Sequence, residues 1–300
     1  MELTARTDLA TEVRESFSED VEIKGVEIKT RKRSGLLIST VDIKTDEGAQ
    51  VMGKPVGRYV SIESGNCLMM EDTDVKKLVV VLTEEIRKLC VLMGLGEKPE
   101  SVLVAGIGNR NITSDSIGPK VIDSLDITRH MKLFFPDEHS GISYVSAIAP
   151  GVMAQTGMET GDIIRGVVDK LAPKLVIVID ALASRSMDRI NATYQLTDTG
   201  ISPGSGLGNQ RHVLNKDSIG VPVLAIGVPT VVDATTIAIE SIEKALEGID
   251  DTKAMEKLVE NLDFTKLQDK YVTTKNIDEE VICVSKILKE AINGVFAEKK

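Results

Sequence analysis

Apolar and polar residues alternate through residues 21–63, in stretches such as "VEIKGVEIKT" and "LLISTVDIKT" separated by Gly and charged turns. That period of two belongs to half-buried antiparallel strands and gives the chain a β-rich N-terminal portion. From about residue 74 to 93 the spacing lengthens to a helix, with Val75, Leu78, Val79, Leu82, Ile86 and Leu89 on one face and Gly94 and Gly96 after its end. Beyond residue 100 the texture changes again. "SVLVAGIGN" (101–109), "SYVSAIAP" (143–150), "LVIVID" (175–180) and "VPVLAIGVP" (221–229) are short, nearly continuous apolar runs, as in strands covered on both faces. Helical patterns separate several of them, one being "ETGDIIRGVVDKLAP", with Ile163, Ile164, Val167 and Leu171 at helical spacing. "RINATYQLTD" (189–198) reads as a further strand before the Gly-rich loop "GISPGSGLGNQ". Helices follow residue 233: "DATTIAIESIEKALEG", a segment near 253–263, and a last one whose stripe of Ile277, Val281, Val284, Leu288 and Val295 is core packing. The alternation of strand and helix predicts an α/β fold, a mostly parallel sheet with helices on both faces plus the β-rich N-terminal excursion.

Composition narrows the class. A chain of 300 residues, 42% hydrophobic, can bury a substantial core. Its formal charge of -10 and the lack of a basic, aromatic-interleaved stripe disfavour direct nucleic-acid binding. The stretch after Met1 lacks the apolar core of a signal peptide, and no run approaches the ~20 apolar residues that span a bilayer, so a cytoplasmic location and no membrane partner are expected. Cys67, Cys90 and Cys283 are odd in number and widely separated, which suggests reduced thiols, Cys283 on an apolar helix face.

Candidate chemistry follows from where the acids fall. In open α/β sheets ligands bind beyond the carboxyl ends of the strands. Asp180 closes the run "LVIVID", and Asp115 follows the first of these strands by the loop "GIGNRNITSDSIGP", so both belong to one edge of the sheet. Two carboxylates brought close together share a proton and split into an acid and a base, which can activate water against an amide. Asp115 has a second reading as a cap for the helix beginning near Ile117, and spacing alone leaves both open. Asp233, before "ATTIAIE", is read as a helix cap. Gly204, Gly206 and Gly208 do not complete a dinucleotide fingerprint, and Ser184 and Ser186 lack the nucleophile-elbow glycines. Arg185 and Arg189 read as helix-surface charges or internal ion pairs, with the holding of an acidic substrate side chain as the further possibility.

The motifs "RTDLATE", "GIGNRNITSDSIGP", "DITRHM", "SAIAPGVMAQTG", "VIVIDALASRS", "RINATYQLTDTGISPGSGLGN" and "AIGVPTVVDATT", in this order, resemble the germination protease of endospore-forming bacteria. The resemblance implies an atypical aspartic-type endopeptidase of the spore core that degrades small acid-soluble spore proteins and is made as a self-processing zymogen. Its two essential acids fall on Asp115 and Asp180. Family substrates are cut after an acid that precedes a large apolar residue and Ala, a pattern repeated in Asp8-Leu9-Ala10. Autocleavage between Asp8 and Leu9 would release residues 1–8 as an accessible polar propeptide. Residues 9–300 then form one peptidase domain, with a β-rich subregion (21–63), a catalytic core (101–235) and a helical C-terminal part (236–300). A carboxylate before the scissile bond asks for a cationic subsite, for which Arg185 is the candidate.

Hydrogenase-maturation peptidases, similar in fold to this family, bind a metal through two acids and a His. His130, His139 and His212 lie outside the matching motifs, so no metal and no cofactor are expected; a metal-dependent peptidase using the acid pair and His212 is the alternative. A non-enzymatic module whose Gly loops hold a phosphate or nucleotide is the alternative of another class. The resemblance also implies a homotetramer, an expectation weakened by the compressed region 248–276.

Overall fold

A computed structural model describes residues 7–18, 21–135, 137, 141–204, 212–246, 264, 266–267 and 269–297. A short helix α1 (Ala10–Glu15) leads into strands β1 (Val26–Arg33), β2 (Leu36–Ile43) and β3 (Gly57–Glu63), paired antiparallel as the alternation requires. Between β2 and β3 lies a helix that the periodicity does not announce, α2 (Asp46–Met52). Its signals are at its ends: the Thr45 side chain accepts from Gly48 N–H, and Gly53 closes it in the left-handed region at φ 59.

Helix α3 (Asp72–Leu92) buries the face set by Leu78, Leu82, Ile86 and Leu89. The rest of the chain runs β4 (Ser101–Gly106), α4 (Ile117–Ser124), α5 (Arg129–Phe134), β5 (Tyr144–Ile148), α6 (Met153–Thr156), α7 (Thr160–Leu171), β6 (Leu175–Ser184), β7 (Thr193–Thr197), α8 (Lys216–Ile219), β8 (Val223–Asp233), α9 (Ala234–Leu246), β9 (Tyr271–Val272) and α10 (Ile277–Phe296). The expected helix near 253–263 lies outside the described residues. Among the described residues no helix is long and apolar enough to cross a membrane.

All these strands form one sheet in the order β1-β2-β3-β7-β8-β6-β4-β5, with β9 beside the end of β8. β8, β6, β4 and β5 are parallel to one another. β7 pairs antiparallel with both β3 and β8, and so joins the N-terminal strands to the parallel ones. The α/β architecture is therefore as the sequence implies, with helices on both faces. The pleat of β6 sorts its side chains by parity. Leu175, Ile177 and Ile179 enter the layer under α3, α4 and α10, while Val176 and Val178 face α7 and α8.

Two strands run longer than their apolar runs suggest. β6 continues four residues past Asp180, and β8 continues past Pro229 to Asp233. Asp180 therefore does not close its strand. The extension is paired, Ala183 and Ser184 lying against Val231 and Val232 after a shift in register at Leu182/Ala183, and β9 adds to it through Val232 and Asp233. Pro229 has no N–H to give to the ladder, and its carbonyl accepts from Asn191 N–H at 2.7 Å.

Helix α10 is tied to the sheet by a buried acid, Glu280. Its carboxylate accepts from Asn66 Nδ2 and Asn191 Nδ2, each at 2.8 Å, and from the Thr274 hydroxyl. Glu280→Ala leaves the fully buried Asn191 amide without that acceptor, and a buried donor stripped of its partner costs ~1–3 kcal/mol. With the cavity added, a loss of roughly 2–4 kcal/mol is expected in urea unfolding at unchanged m-value. A loss under about 0.5 kcal/mol would mean that the network contributes no net stability.

Candidate active site

The first candidate acid is placed by a backbone turn that only glycine permits. After β4, Ile107 N–H donates to Ile179 O at 2.8 Å, and the chain then turns at Gly108 with φ +115. A Cβ on Gly108 would stand 2.0 Å from Asp115 O, so the returning loop lies directly on this residue. Asp115 ends a 3-10 turn, Thr113–Asp115, and its Oδ2 accepts from Asn109 N–H at 2.8 Å. The N-cap of α4 is Ser116, one residue after Asp115, and its own side chain makes no cap bond. Thr230 Oγ1 donates to Ser114 O at 2.6 Å and fastens the loop to β8. Asp233, by contrast, is the expected cap: Thr236 N–H donates to its Oδ1 at 3.0 Å.

Asp180 sits in mid-strand, 4% exposed, paired with Gly227 of β8 and on the face of Val176 and Val178. Its Oδ1 accepts from Ala181 N–H at 2.9 Å. Gly106 of β4 pairs with Ile179, so both acids flank the Ile107–Gly108 turn at the carboxyl end of the β4–β6 ladder. Between the Asp115 loop and the extended tips of β6 and β8 is a cavity of about 220 Å³. Asp115 and Ala181 line it, and Asp180 is one residue before that wall.

A second acid lines the same cavity. Asp8 lines it opposite the β6 tip, held by Asp8 N–H to Ala183 O and Ala183 N–H to Asp8 Oδ2, both 2.9 Å. The Asp8 carbonyl accepts from Lys54 Nζ at 3.0 Å and from Gln195 Nε2 at 3.2 Å. Gln195 Oε1 takes Ala10 N–H at 2.7 Å, so one amide side chain grips the main chain on both sides of Leu9. Leu9 and Ala10 are 0% exposed. The junction at Asp8–Leu9 is thus a docked segment, because Leu9 and Ala10 find apolar cover and their neighbours find backbone partners; residues 1–6 of the tail expected to be accessible lie outside the described residues. Glu12 anchors it further, accepting from Arg185 N–H at 2.7 Å and Ser186 N–H at 3.1 Å and pairing with Arg189 at 3.3 Å. On the far side of Asp8 lies a second cavity of about 400 Å³ with a mixed lining, in which Lys54, Tyr59, Gln195, Thr197 and Thr199 stand beside Leu182, Ile201 and Val213.

Arg185 turns its side chain to Glu240 at 2.7 Å, and Arg189 pairs with Glu15 and Glu63, so both take part in ion pairs. Lys54 is a cation beside Asp8. Burial pulls its ammonium below the ordinary lysine range, while the Asp8 and Glu12 carboxylates oppose that shift. Sequence reading missed Lys54 and Gln195. The available signal for Gln195 was a strand, "TYQLT", whose polar members Thr193, Gln195 and Thr197 are all buried, opposite Tyr194 and Leu196 in the main core. Lys54 stands between Gly53 and Pro55 in a connection that offers no periodicity.

His130 and His212 are exposed, and His139, Gly206 and Gly208 lie outside the described residues, while Gly204 lines the smaller cavity. Among the described residues no group of three or more His, Cys, Asp or Glu is arranged to hold a metal. Cys67, Cys90 and Cys283 are free thiols.

Comparison with known proteins adds the relationship. The family model described as germination protease matches residues 3–261. The germination protease of Clostridium acetobutylicum is 40% identical over 309 residues, covering 97% of this chain and 94% of that protein. That of Caldanaerobacter subterraneus subsp. tengcongensis is 47% identical over 251 residues, covering 83% and 76%. Among solved structures, a NiFe hydrogenase maturation protease from Thermococcus kodakarensis KOD1 aligns with TM-score 0.34 and 16% identity, over 68% of this chain and 99% of that one. The chain belongs to the germination protease family, and it is a protease.

Proposed function

We propose that this chain is an endopeptidase that opens small acid-soluble spore proteins for degradation during germination, that it is made as a zymogen cutting its own Asp8–Leu9 bond, and that Asp115 and Asp180 together activate the attacking water. The observation that carries this reading is the seat of the Asp8–Leu9 junction. An acid, a large apolar residue and Ala, in the order the resemblance expects of a substrate, lie bound across the strand ends beside a cavity lined by Asp115. Main-chain pairing with Ala183 is a general way to hold an unfolded substrate, since it reads backbone rather than sequence. It also accounts for latency, because an uncut segment in this position excludes any other polypeptide. Lys54 joins Arg185 as a source of positive charge for the acid before the cut.

The test is incubation of the purified full-length protein at mildly acidic pH, followed by intact mass. Loss of residues 1–8, leaving Leu9 as the new N-terminus, is expected in chelator-treated and untreated samples alike, with activity on an added acid-soluble spore protein rising in step. Cleavage at another bond, no cleavage, or cleavage only with added metal would overturn the reading.

A further inference from the structure

Two donors meet on one carbonyl oxygen in the docked segment, and that oxygen belongs to the bond read above as scissile. Lys54 Nζ lies 3.0 Å and Gln195 Nε2 3.2 Å from Asp8 O. They come from separate parts of the sheet, the connection before β3 and the middle of β7. Neither is committed to the carbonyl by local chain geometry. We infer that Lys54 and Gln195 form the oxyanion hole of this protease, holding the negative charge that develops on the carbonyl oxygen of the residue before the cut. The inference rests on the assignment of Asp8–Leu9 as the bond that is cut.

The chemistry balances with groups already at the site. A water oxygen adds to the Asp8 carbonyl carbon and gives one proton to the Asp115/Asp180 carboxylate pair. The C=O π electrons move onto oxygen, where Lys54 and Gln195 stabilise the charge. When the C=O re-forms, the bond to Leu9 nitrogen breaks, and that nitrogen takes the proton back. The products are an Asp8 α-carboxyl group and a free Leu9 amine, water having been divided between them. The two sides of the peptide are furnished accordingly: Asp8 lines the Asp115 cavity on one side and the larger cavity with Lys54 and Gln195 on the other. Donors at 3.0 and 3.2 Å from a neutral carbonyl are placed to shorten as charge appears, which separates transition-state from ground-state binding. Lys54 in its ammonium form, which the Asp8 and Glu12 carboxylates favour against burial, acts on the oxyanion more strongly in a site partly removed from water than it would at the surface. Gln195 has a second bond, from Ala10 N–H to its Oε1, that fixes the amide with its NH₂ group towards Asp8.

A mere tether makes the same ground-state contacts, so the experiment separates docking from chemistry. The first-order rate of self-processing is followed by intact mass in wild-type protein, Lys54→Met, Lys54→Arg and Gln195→Glu, with hydrogen exchange over residues 7–12 reporting docking. Gln195→Glu keeps the acceptor for Ala10 N–H and removes only the donor. Lys54→Met and Gln195→Glu are each expected to process ~10²–10³-fold more slowly, as removal of an oxyanion-hole donor does, with exchange unchanged. Lys54→Arg should recover part of the rate. The Gln195→Glu deficit should shrink as pH falls into the carboxyl range, because the introduced carboxyl group, once protonated, can donate again. Rates within about threefold of wild type, or losses matched by loss of protection over 7–12, would overturn the assignment. Should Lys54→Met fail to fold, Gln195→Glu decides alone. If wild-type protein is cut elsewhere, the scissile-bond reading fails first, and the oxyanion hole falls with it.

Discussion

Asp115→Asn and Asp180→Asn are each expected to slow self-processing and cleavage of an added unfolded substrate by about 10³–10⁴-fold while the protein stays folded, on the scale of a lost general acid–base group. The fold should survive because the amide keeps what the carboxylate does locally. An Asn Oδ1 can still accept Asn109 N–H at one position and Ala181 N–H at the other. At position 180, where the side chain is 4% exposed, the isosteric amide fits the same buried space, so the melting temperature should hold. What marks the two as one device is the double variant. Groups acting as a unit are non-additive, so Asp115→Asn/Asp180→Asn should be no slower than the slower single variant, within about threefold. A double variant whose losses multiply would mean two independent roles, and full activity in either single variant would remove the shared mechanism.

The acids were legible because each stands out against its surroundings: Asp180 interrupts an apolar run, and Asp115 is the only acid in a loop of small polar residues. The parallel strands were legible for a related reason, since burial on both faces removes polar residues from the run. Their ends were not. β6 and β8 carry on as a ribbon through "ALAS" and "TVVD", where a charged residue or a proline reads as a stop until cross-strand pairing is known. The donors were hidden for a topological reason. Only the insertion of β7 between β3 and β8 brings Gln195, and Lys54 before β3, to the tip of β6, and no local pattern encodes strand order. Docking of Asp8–Ala10 is hidden in the same way, as its partners Lys54, Ala183 and Gln195 are all distant in sequence. The quoted family motifs cover the acids and Gln195 but leave out Lys54.

Gly118→Ala should lower both stability and activity, although Gly→Ala inside a helix ordinarily helps by up to ~1 kcal/mol. Gly118 is the second residue of α4, and a Cβ there would stand 2.4 Å from Ile107 O, 2.6 Å from Ile107 N and 2.6 Å from Ile179 O. All three are backbone atoms, two from Ile107 just after β4 and one from Ile179 within β6, and Ile107 N–H is bonded to Ile179 O at 2.8 Å. No side chain can rotate out of the way, so α4 must move outward by about 1 Å to restore ordinary contact distances. Overpacking of this kind costs ~1–3 kcal/mol, which exceeds the propensity gain, and a net loss of about 1–2 kcal/mol is expected in urea unfolding. Asp115 ends the 3-10 turn that leads into α4, three residues before Gly118, and should shift with it; under the proposed mechanism a displacement near 1 Å costs ~10²-fold in rate. Gly166, within α7, supplies the contrast, because a Cβ there meets nothing within 4 Å. Gly166→Ala should therefore stabilise by ~0.4–1 kcal/mol and leave cleavage untouched. Opposite signs for the same substitution in two helices would locate the penalty in the close approach of α4 to the strand ends. Matching signs, or a fully active Gly118→Ala protein, would mean that this approach does not position Asp115.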